Sequence, residues 1–199
     1  MVMVEKGWSS APVPDTQRFE HVMIDIETMS LHKHSALILS VGMIEFDPVP
    51  LDRVRIGERH LIVPEIATQL ALGRRVSEST QKWWKEQPPE ASDHWKNVDV
   101  RADLNQTIEC VRMFCIGREY VWANGVQFDL SNLDGLAEAI GDTKPIWGYR
   151  APCDMRMFCR LVPATRVMAF DKLGYTGAAH EPVFDCLQQA HHVWEHWQS

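Results

Sequence analysis

Three short acidic clusters, far apart in a chain of 199 residues, constrain the fold more than any other feature. They are Asp25-Ile26-Glu27-Thr28, Asn124-Gly125-Val126-Gln127-Phe128-Asp129 and His180-Glu181-Pro182-Val183-Phe184-Asp185. Each lies where an apolar, strand-like run ends or a helical pattern begins. Residues at such junctions project from one rim of an α/β sheet. Carboxylates from Asp25, Glu27, Asp129 and Asp185 gathered at one rim repel each other strongly unless divalent cations lie between them. The pattern therefore asks for a sheet that joins distant segments, and for metal.

The rest of the chain supplies such a sheet. Residues 21–26 (HVMIDI) read as a first strand, and residues 36–46 (ALILSVGMIEF) as a longer buried strand ended by Asp47-Pro48. Residues 59–63 form a third, stopped by Pro64, and the three in succession imply an antiparallel meander. A helix is expected near residues 77–86, in a turn-rich insertion broken by Gln87-Pro88-Pro89. Leu104, Ile108, Val111 and Cys115 recur at helical spacing within 101–116, and Gly117 can end that helix. A fourth strand follows at 119–123. Leu130, Leu133, Ala137 and Ile140 make one stripe over 128–140, with Gly141 as its stop. Residues 150–153 read as a fifth strand and 154–161 as a short helix. The last helix covers about 182–197, with Pro182 in its first turn and Leu187, Ala190, Trp194 and Trp197 on its buried face. The order predicts an α/β fold: a five-stranded mixed sheet flanked by helices.

Composition narrows the class. An apolar fraction of 45% suits one domain with a full core, here residues 20–199 after a flexible lead-in at 1–19 that includes SSAPVPD. No apolar run approaches the roughly 20 residues that span a bilayer, and no secretion signal is visible at the N-terminus. A cytoplasmic protein with no membrane partner is expected. The five cysteines are odd in number and contain no CxxC pair, which fits reduced, buried thiols rather than a zinc site. The net charge of −7 argues against a protein that coats long nucleic acid by charge alone. An enzyme acting on nucleic-acid ends stays compatible, since bound cations offset an acidic site.

Asp25 and Glu27 stand two apart on a strand and so share a face, with Ile24 and Ile26 on the other. Two carboxylates on one rigid strand make half a cage for Mg²⁺ or Mn²⁺, which take oxygen ligands. Taken alone, the cluster equally fits a strand end with solvated acids. Asp129 opens a helix, where the dipole favours an acid, but that does not account for Asn124-Gly125 before it. A glycine there permits close approach of a backbone or ligand. His180 follows the loop GYTGAA at 174–179 and has the ordinary histidine pKa for taking a proton from water near neutrality. A single loop histidine is as a rule a surface residue; its company gives it weight.

Acid-x-acid on a first strand, an acid at a middle helix start and His-x4-Asp at a final helix start together resemble the DEDDh 3′–5′ exonucleases, a proofreading-exonuclease superfamily with a ribonuclease H-like fold. The matching residues are Asp25 and Glu27, Asp129, and His180 with Asp185. Residues 76–91, VSESTQKWWKEQPPEA, resemble more closely the phage exonuclease A type and related bacterial exoribonucleases. Pro182 and Cys186 depart from the family pattern, which has a small residue and an alanine there, and Glu181 adds a carboxylate.

The resemblance implies a five-stranded ribonuclease H-like sheet and two-metal phosphodiester hydrolysis at the 3′ end of single-stranded DNA or RNA. Asp25, Glu27, Asp129 and Asp185 would hold two Mg²⁺ or Mn²⁺ ions, and His180 would take the proton of the attacking water. A homodimer stays open. By the same likeness Thr28, Met29 and Asn124 lie beside the terminal nucleotide, and Trp83 or Trp84 stacks a base. Helical geometry forbids both tryptophans from facing one way, so one is expected inward and one outward. Arg74, Arg75, Lys82 and Lys85 form a neighbouring basic patch or a solvated surface. His191, His192 and His196 are expected on the exposed face of the last helix. Two other readings stand beside the exonuclease: a ribonuclease H-type endonuclease, and a non-catalytic nucleic-acid-binding domain of the same fold.

Overall fold

The computed structural model describes residues 19–50 and 52–197. All of the expected lead-in but Phe19 therefore lies outside the described residues, as do residues 198–199. The chain runs β1 (His21–Thr28), β2 (Ile38–Asp47), β3 (Arg55–Ile62), α1 (Ile66–Ala71), α2 (Glu78–Glu86), α3 (Glu90–Lys96), α4 (Leu104–Cys115), β4 (Tyr120–Ala123), α5 (Asp129–Ala139), β5 (Pro152–Asp154), α6 (Met155–Leu161), a 3₁₀ turn (Phe170–Leu173) and α7 (Pro182–His196). The strands form one five-stranded mixed sheet in the order β3-β2-β1-β4-β5. The β1–β2 and β2–β3 pairs are antiparallel, while β4 joins β1 and β5 joins β4 in parallel.

β1 sits at the centre of the sheet with helices over both faces, which is why its sequence reads as continuous apolar residues until the acids. Val22, Ile24 and Ile26 point into a core shared with α4 and α5. Met23 points the other way, into a core built by α7. Asp25 and Glu27 share the α7 face with Met23 by the two-residue period of the strand. The acids are thus aimed at the helix that carries Asp185.

α7 approaches this face closely because β2 has a glycine under it. Gly42 pairs with Asp25 across the β1–β2 ladder. A Cβ at Gly42 would lie 2.4 Å from the backbone carbon of Pro182. Any side chain there would lift the first turn of α7 off the sheet. Leu187, Ala190, Val193 and Trp194 then bury against the strands. Full burial stabilises by roughly 1.5–3 kcal/mol per large apolar side chain, which anchors the helix below the site.

The insertion after β3 differs from the sequence expectation. It holds α1 and α3 as well as the expected α2. Gln87-Pro88-Pro89 ends α2, but Pro89 also starts α3, since a proline fits the beginning of a helix. Trp84 and Trp95 from these helices close a third core cluster with Leu37, Leu39 and Val63. β3 begins at Arg55, earlier than expected, and β2 begins at Ile38, with Ala36 in an isolated bridge to Arg75. All five cysteines are free. No helix among the described residues is long and apolar enough to cross a membrane.

Candidate active site

The three clusters meet at one end of β1. Ligand atoms of Glu27, His180 and Asp185 lie within 4.8 Å of one another. Asp25 stands beside them and accepts a hydrogen bond of 2.7 Å from Gln189 Nε2. Asp129, at the first turn of α5, accepts from the Gly125 backbone N–H at 3.2 Å. The resulting cleft has a volume of about 1110 Å³, with Asp25, Glu27, Asp129 and Asp185 in its wall and Arg156 and Phe170 among the residues that complete it.

Burial and mutual repulsion shape the acids. The Asp25 carboxyl is raised well above the usual range by burial, then by the charges of Asp129, Glu27 and Asp185; only the Gln189 hydrogen bond opposes the shift. Burial lifts Asp129 to about 7 against the backbone hydrogen bonds it accepts. Burial lifts Glu27 to about 6, with His180 opposing. Asp185 is raised by burial as well. Four oxygen-rich groups whose ionised forms are penalised together are a donor set that fits hard divalent cations, which take oxygen ligands and supply the missing positive charge.

His180 is held from three sides. Its Nδ1 lies 3.7 Å from Glu27 Oε1. Its backbone N–H donates to Asp185 Oδ2 at 3.1 Å. The Trp83 ring stands edge-on to the imidazole, with centroids 4.8 Å apart and planes at 84°. His180 has φ +67°, a left-handed conformation that histidine adopts more readily than branched residues. That turn folds the chain back from the preceding loop onto the start of α7. The Glu27 carboxylate facing Nδ1, offset in part by burial, raises the His180 pKa.

The departures from the expected motif have structural roles. Pro182 is the first residue of α7, and Glu181 caps the helix by accepting from the Val183 and Phe184 N–H groups at 3.3 and 3.0 Å. Its carboxylate thus serves the helix start. Cys186 is fully buried, with Sγ 3.6 Å from the Met23 carbonyl and 3.5 Å from that of Gly42.

Among the expected substrate contacts, Asn124 lines the cleft, whereas Thr28, Met29, Trp83 and Trp84 do not. Thr28 is buried; its hydroxyl donates to Ser30 O and its carbonyl accepts from Trp84 Nε1 at 2.9 Å. Met29 packs on the cluster that contains Trp84. Trp84 turns inward at 5% exposure and Trp83 outward at 37%, so the pair divides as helical geometry requires.

Two expectations are corrected. Arg74 is buried and donates to His34 O and Asn132 O, so it takes no part in a patch with the exposed Arg75, Lys82 and Lys85. His191 is also buried, hydrogen-bonded to Met168 O at 2.8 Å and stacked on Trp194. Its place on α7 is set by the 163–175 segment, which covers that side of the helix. Sequence reading also missed Gln189 and Arg156. Gln189 follows Asp185 by one helical turn, the spacing that puts both on one face, and this was the available signal.

The sheet and the residues gathered at the end of its central strand define a class: 3′–5′ exonuclease domains of ribonuclease H-like fold. Residues 20–197 match the family described as the 3′-5′ exoribonuclease Rv2179c-like domain, and the chain belongs to that family. No curated protein matches the sequence significantly. Among solved structures, the fold is similar to product-bound exonuclease I, with a TM-score of 0.57 at 12% identity over 89% of this chain and 43% of that one. E. coli exonuclease I in complex with a dT13 oligonucleotide gives a TM-score of 0.57 at 13% identity, over 88% of this chain and 41% of the other. The zinc-bound form of the E. coli exonuclease I–single-stranded DNA complex gives 0.52 at 13% identity, over 89% and 40%. The chain thus spans less than half the length of these exonuclease I chains.

Proposed function

We propose that this domain removes nucleotides one at a time from the 3′ end of single-stranded nucleic acid, RNA in preference to DNA, releasing 5′-nucleoside monophosphates. The observation that carries this reading is the convergence of Asp25, Glu27, Asp129 and Asp185 on His180 from three distant segments. The family description supports RNA as the polymer. Two Mg²⁺ or Mn²⁺ ions would be held by the four carboxylates. When bound, such ions neutralise charge that builds on the phosphate oxygens.

The chain's own residues handle the proton and the strand. Glu27 faces Nδ1 of His180, which favours the tautomer with the proton on Nδ1 and leaves Nε2 as acceptor. Nε2 takes a proton as the water oxygen bonds to phosphorus; the bond to the 3′ oxygen of the preceding nucleotide breaks, and that oxygen takes a proton from solvent to leave as the 3′-hydroxyl of the shortened strand. Asp185 fixes the His180 backbone, which sets where the ring starts beside Glu27. Trp83, half exposed against His180, is the side chain suited to stack a terminal base, worth roughly 1–3 kcal/mol.

The test is digestion of matched 5′-labelled RNA and DNA oligonucleotides with Mg²⁺ or Mn²⁺. A ladder shortening from the 3′ end, faster for RNA, is expected. Internal cuts without a ladder would favour the endonuclease reading, and intact strands with retained binding would favour a non-catalytic binder.

A further inference from the structure

The acidic cleft does not end at the carboxylates. Arg156 of α6 lines both the cleft and a second groove of about 470 Å³, between residues 126–127 and α6, which Met157 and Arg160 also line. Six of the twelve described arginines are held by ion pairs or backbone carbonyls. Arg55 pairs with Asp47, Arg112 with Glu109 and Asp142, and Arg118 with Glu45. Arg166 donates to Pro48 O, and Arg74 and Arg101 donate to backbone carbonyls. Arg156 and Arg160 are exposed and form no ion pair among the described residues.

The groove's one carboxylate forms no ion pair with them. Asp154 Oδ1 caps α6 by accepting from Met157 N at 2.8 Å, and Oδ2 accepts from Val126 N at 3.3 Å. Arg156 and Arg160 are four residues apart and so share a face, about 6 Å apart along the helix axis from a rise of about 1.5 Å per residue. Exposed Met157 and Leu161, at 53% and 74%, interleave with them. Unpaired cations interleaved with apolar side chains suit a single strand, whose phosphates need charge and whose sugars and bases need contact area. In a chain of net charge −7, such a strip is a local exception to the protein's own field.

Topology gives the strip a direction. The acid end of β1 lies between two flanks. On one side Trp84 of α2 is tied to the Thr28 carbonyl. On the other lie β4 and β5, and α6 follows β5 directly. A terminal nucleotide lodged beside His180, with Trp83 behind that ring, leaves the α6 side of the cleft for the rest of the strand. We propose that the groove along α6 is the path of the strand upstream of the scissile phosphate, with Arg156 and Arg160 holding successive backbone phosphates. This rests on the nuclease reading and adds to it the substrate's course and minimum useful length.

The experiment uses the full chain and two readouts. Binding of a 5′-fluorescein RNA 12-mer is followed by anisotropy over a salt series with metal withheld. Arg160→Gln lies outside the carboxylate cleft; it should flatten the slope of log affinity against log salt by about 0.7, and adding Arg156→Gln should double the change. Arg160→Lys should restore the slope, because a phosphate contact needs the charge. With Mg²⁺ or Mn²⁺, the preference in kcat/KM for the 12-mer over a trinucleotide should fall about tenfold in the double variant. An unchanged salt slope with an unchanged length preference would overturn the proposal. If the parent releases no nucleotide, the nuclease reading fails by itself, and the anisotropy series alone decides the groove.

Discussion

The two ends of β1 bury ionisable groups under similar cover and to opposite effect. At the first end, His21 is 4% exposed, stacked on Tyr120 at 4.4 Å and met edge-on by Trp197. Trp122 Nε1 donates to its Nδ1 at 3.1 Å. Burial pushes the His21 pKa down to about 4, so the ring is neutral near pH 7 and behaves as one more aromatic in a core. At the second end, burial pushes Asp25 and Asp129 up, and there the neighbours are other acids rather than aromatics. The physics is the same, since a low-dielectric setting disfavours charge. His21 satisfies it by staying neutral. The acids satisfy it only by keeping protons or by taking up cations. One strand thus carries stability at one end and, as proposed, chemistry at the other.

Asp25→Asn breaks this contrast most directly, since it removes the charge and keeps the shape. Nucleotide release from RNA 3′ ends should fall about a thousandfold or more, roughly 4 kcal/mol of barrier. In metal-free buffer the same variant should unfold at higher urea, by about 1 kcal/mol, because the fold no longer has to hold a proton on a buried carboxyl that the unfolded chain gives up. Full activity would remove Asp25 from the site. A clear loss of stability would mean that this end of β1 is not strained by its charges.

The next largest effect is on pH dependence, where the two ends oppose each other. The folded state refuses a proton at His21 that the unfolded chain accepts between pH 6.5 and about 4. His94, half-buried and hydrogen-bonded to Ser40, does the same over the same window. Stability from these two is fully present above pH 6.5 and is lost as pH falls toward 4, by about 3 kcal/mol for each. The acids run the other way. Glu27, at about 6, and Asp129, at about 7, keep protons in the metal-free fold that the unfolded chain gives up near pH 4. Their contribution is present below pH 4 and is lost as pH rises through 6 to 7. Urea midpoints of the metal-free protein should therefore vary little between pH 4 and 6.5. His21→Leu should tilt that profile, so that stability falls more steeply with rising pH, by about 1.4 kcal/mol per unit across the window. A tilt in the other direction would mean that His21 is charged in the fold.

The two ends were also unequally legible in the sequence. HVMIDIET announces a buried strand, and acids two apart at its end announce one face. The register partner Gly42 does not announce that α7 will land on it, because close approach is a property of two segments at once. The same limit hid Gln69, a buried amide that donates to Ile38 O and accepts from Ile38 N, so that a six-residue helix whose one buried residue is this glutamine holds its place. Pro88-Pro89 read as a stop, yet its second proline also starts α3, whose Trp95 needs Trp84 to bury against. Long apolar periods were readable alone. Arginine is mostly a surface residue, and Arg74 is held by carbonyls from two distant segments, the loop at His34 and the first turn of α5 at Asn132, while His191 is held by the loop carbonyl of Met168, so neither partner could be read from local periodicity.

Gln189 sharpens the contrast at the smallest scale. It is 8% exposed, and its Nε2 is the one hydrogen-bond donor that offsets the repulsion at Asp25, while its Oε1 is buried without a partner. The amide orientation is fixed by the carboxylate, since turning it would set oxygen against oxygen. A leucine there would leave no polar atom unsatisfied on its own side chain but would free Asp25 to turn. Groups that orient a metal ligand typically change affinity by about 10–100-fold when removed. Gln189→Leu should therefore raise the Mn²⁺ concentration for half-maximal nucleotide release about tenfold, with kcat at saturating Mn²⁺ falling less. Gln189→Glu should do worse than leucine near pH 7, because it sets a fifth carboxylate against Asp25. A purely space-filling role predicts the reverse order, with the isosteric glutamate nearer the parent, so the ranking of the two variants decides whether this amide orients Asp25.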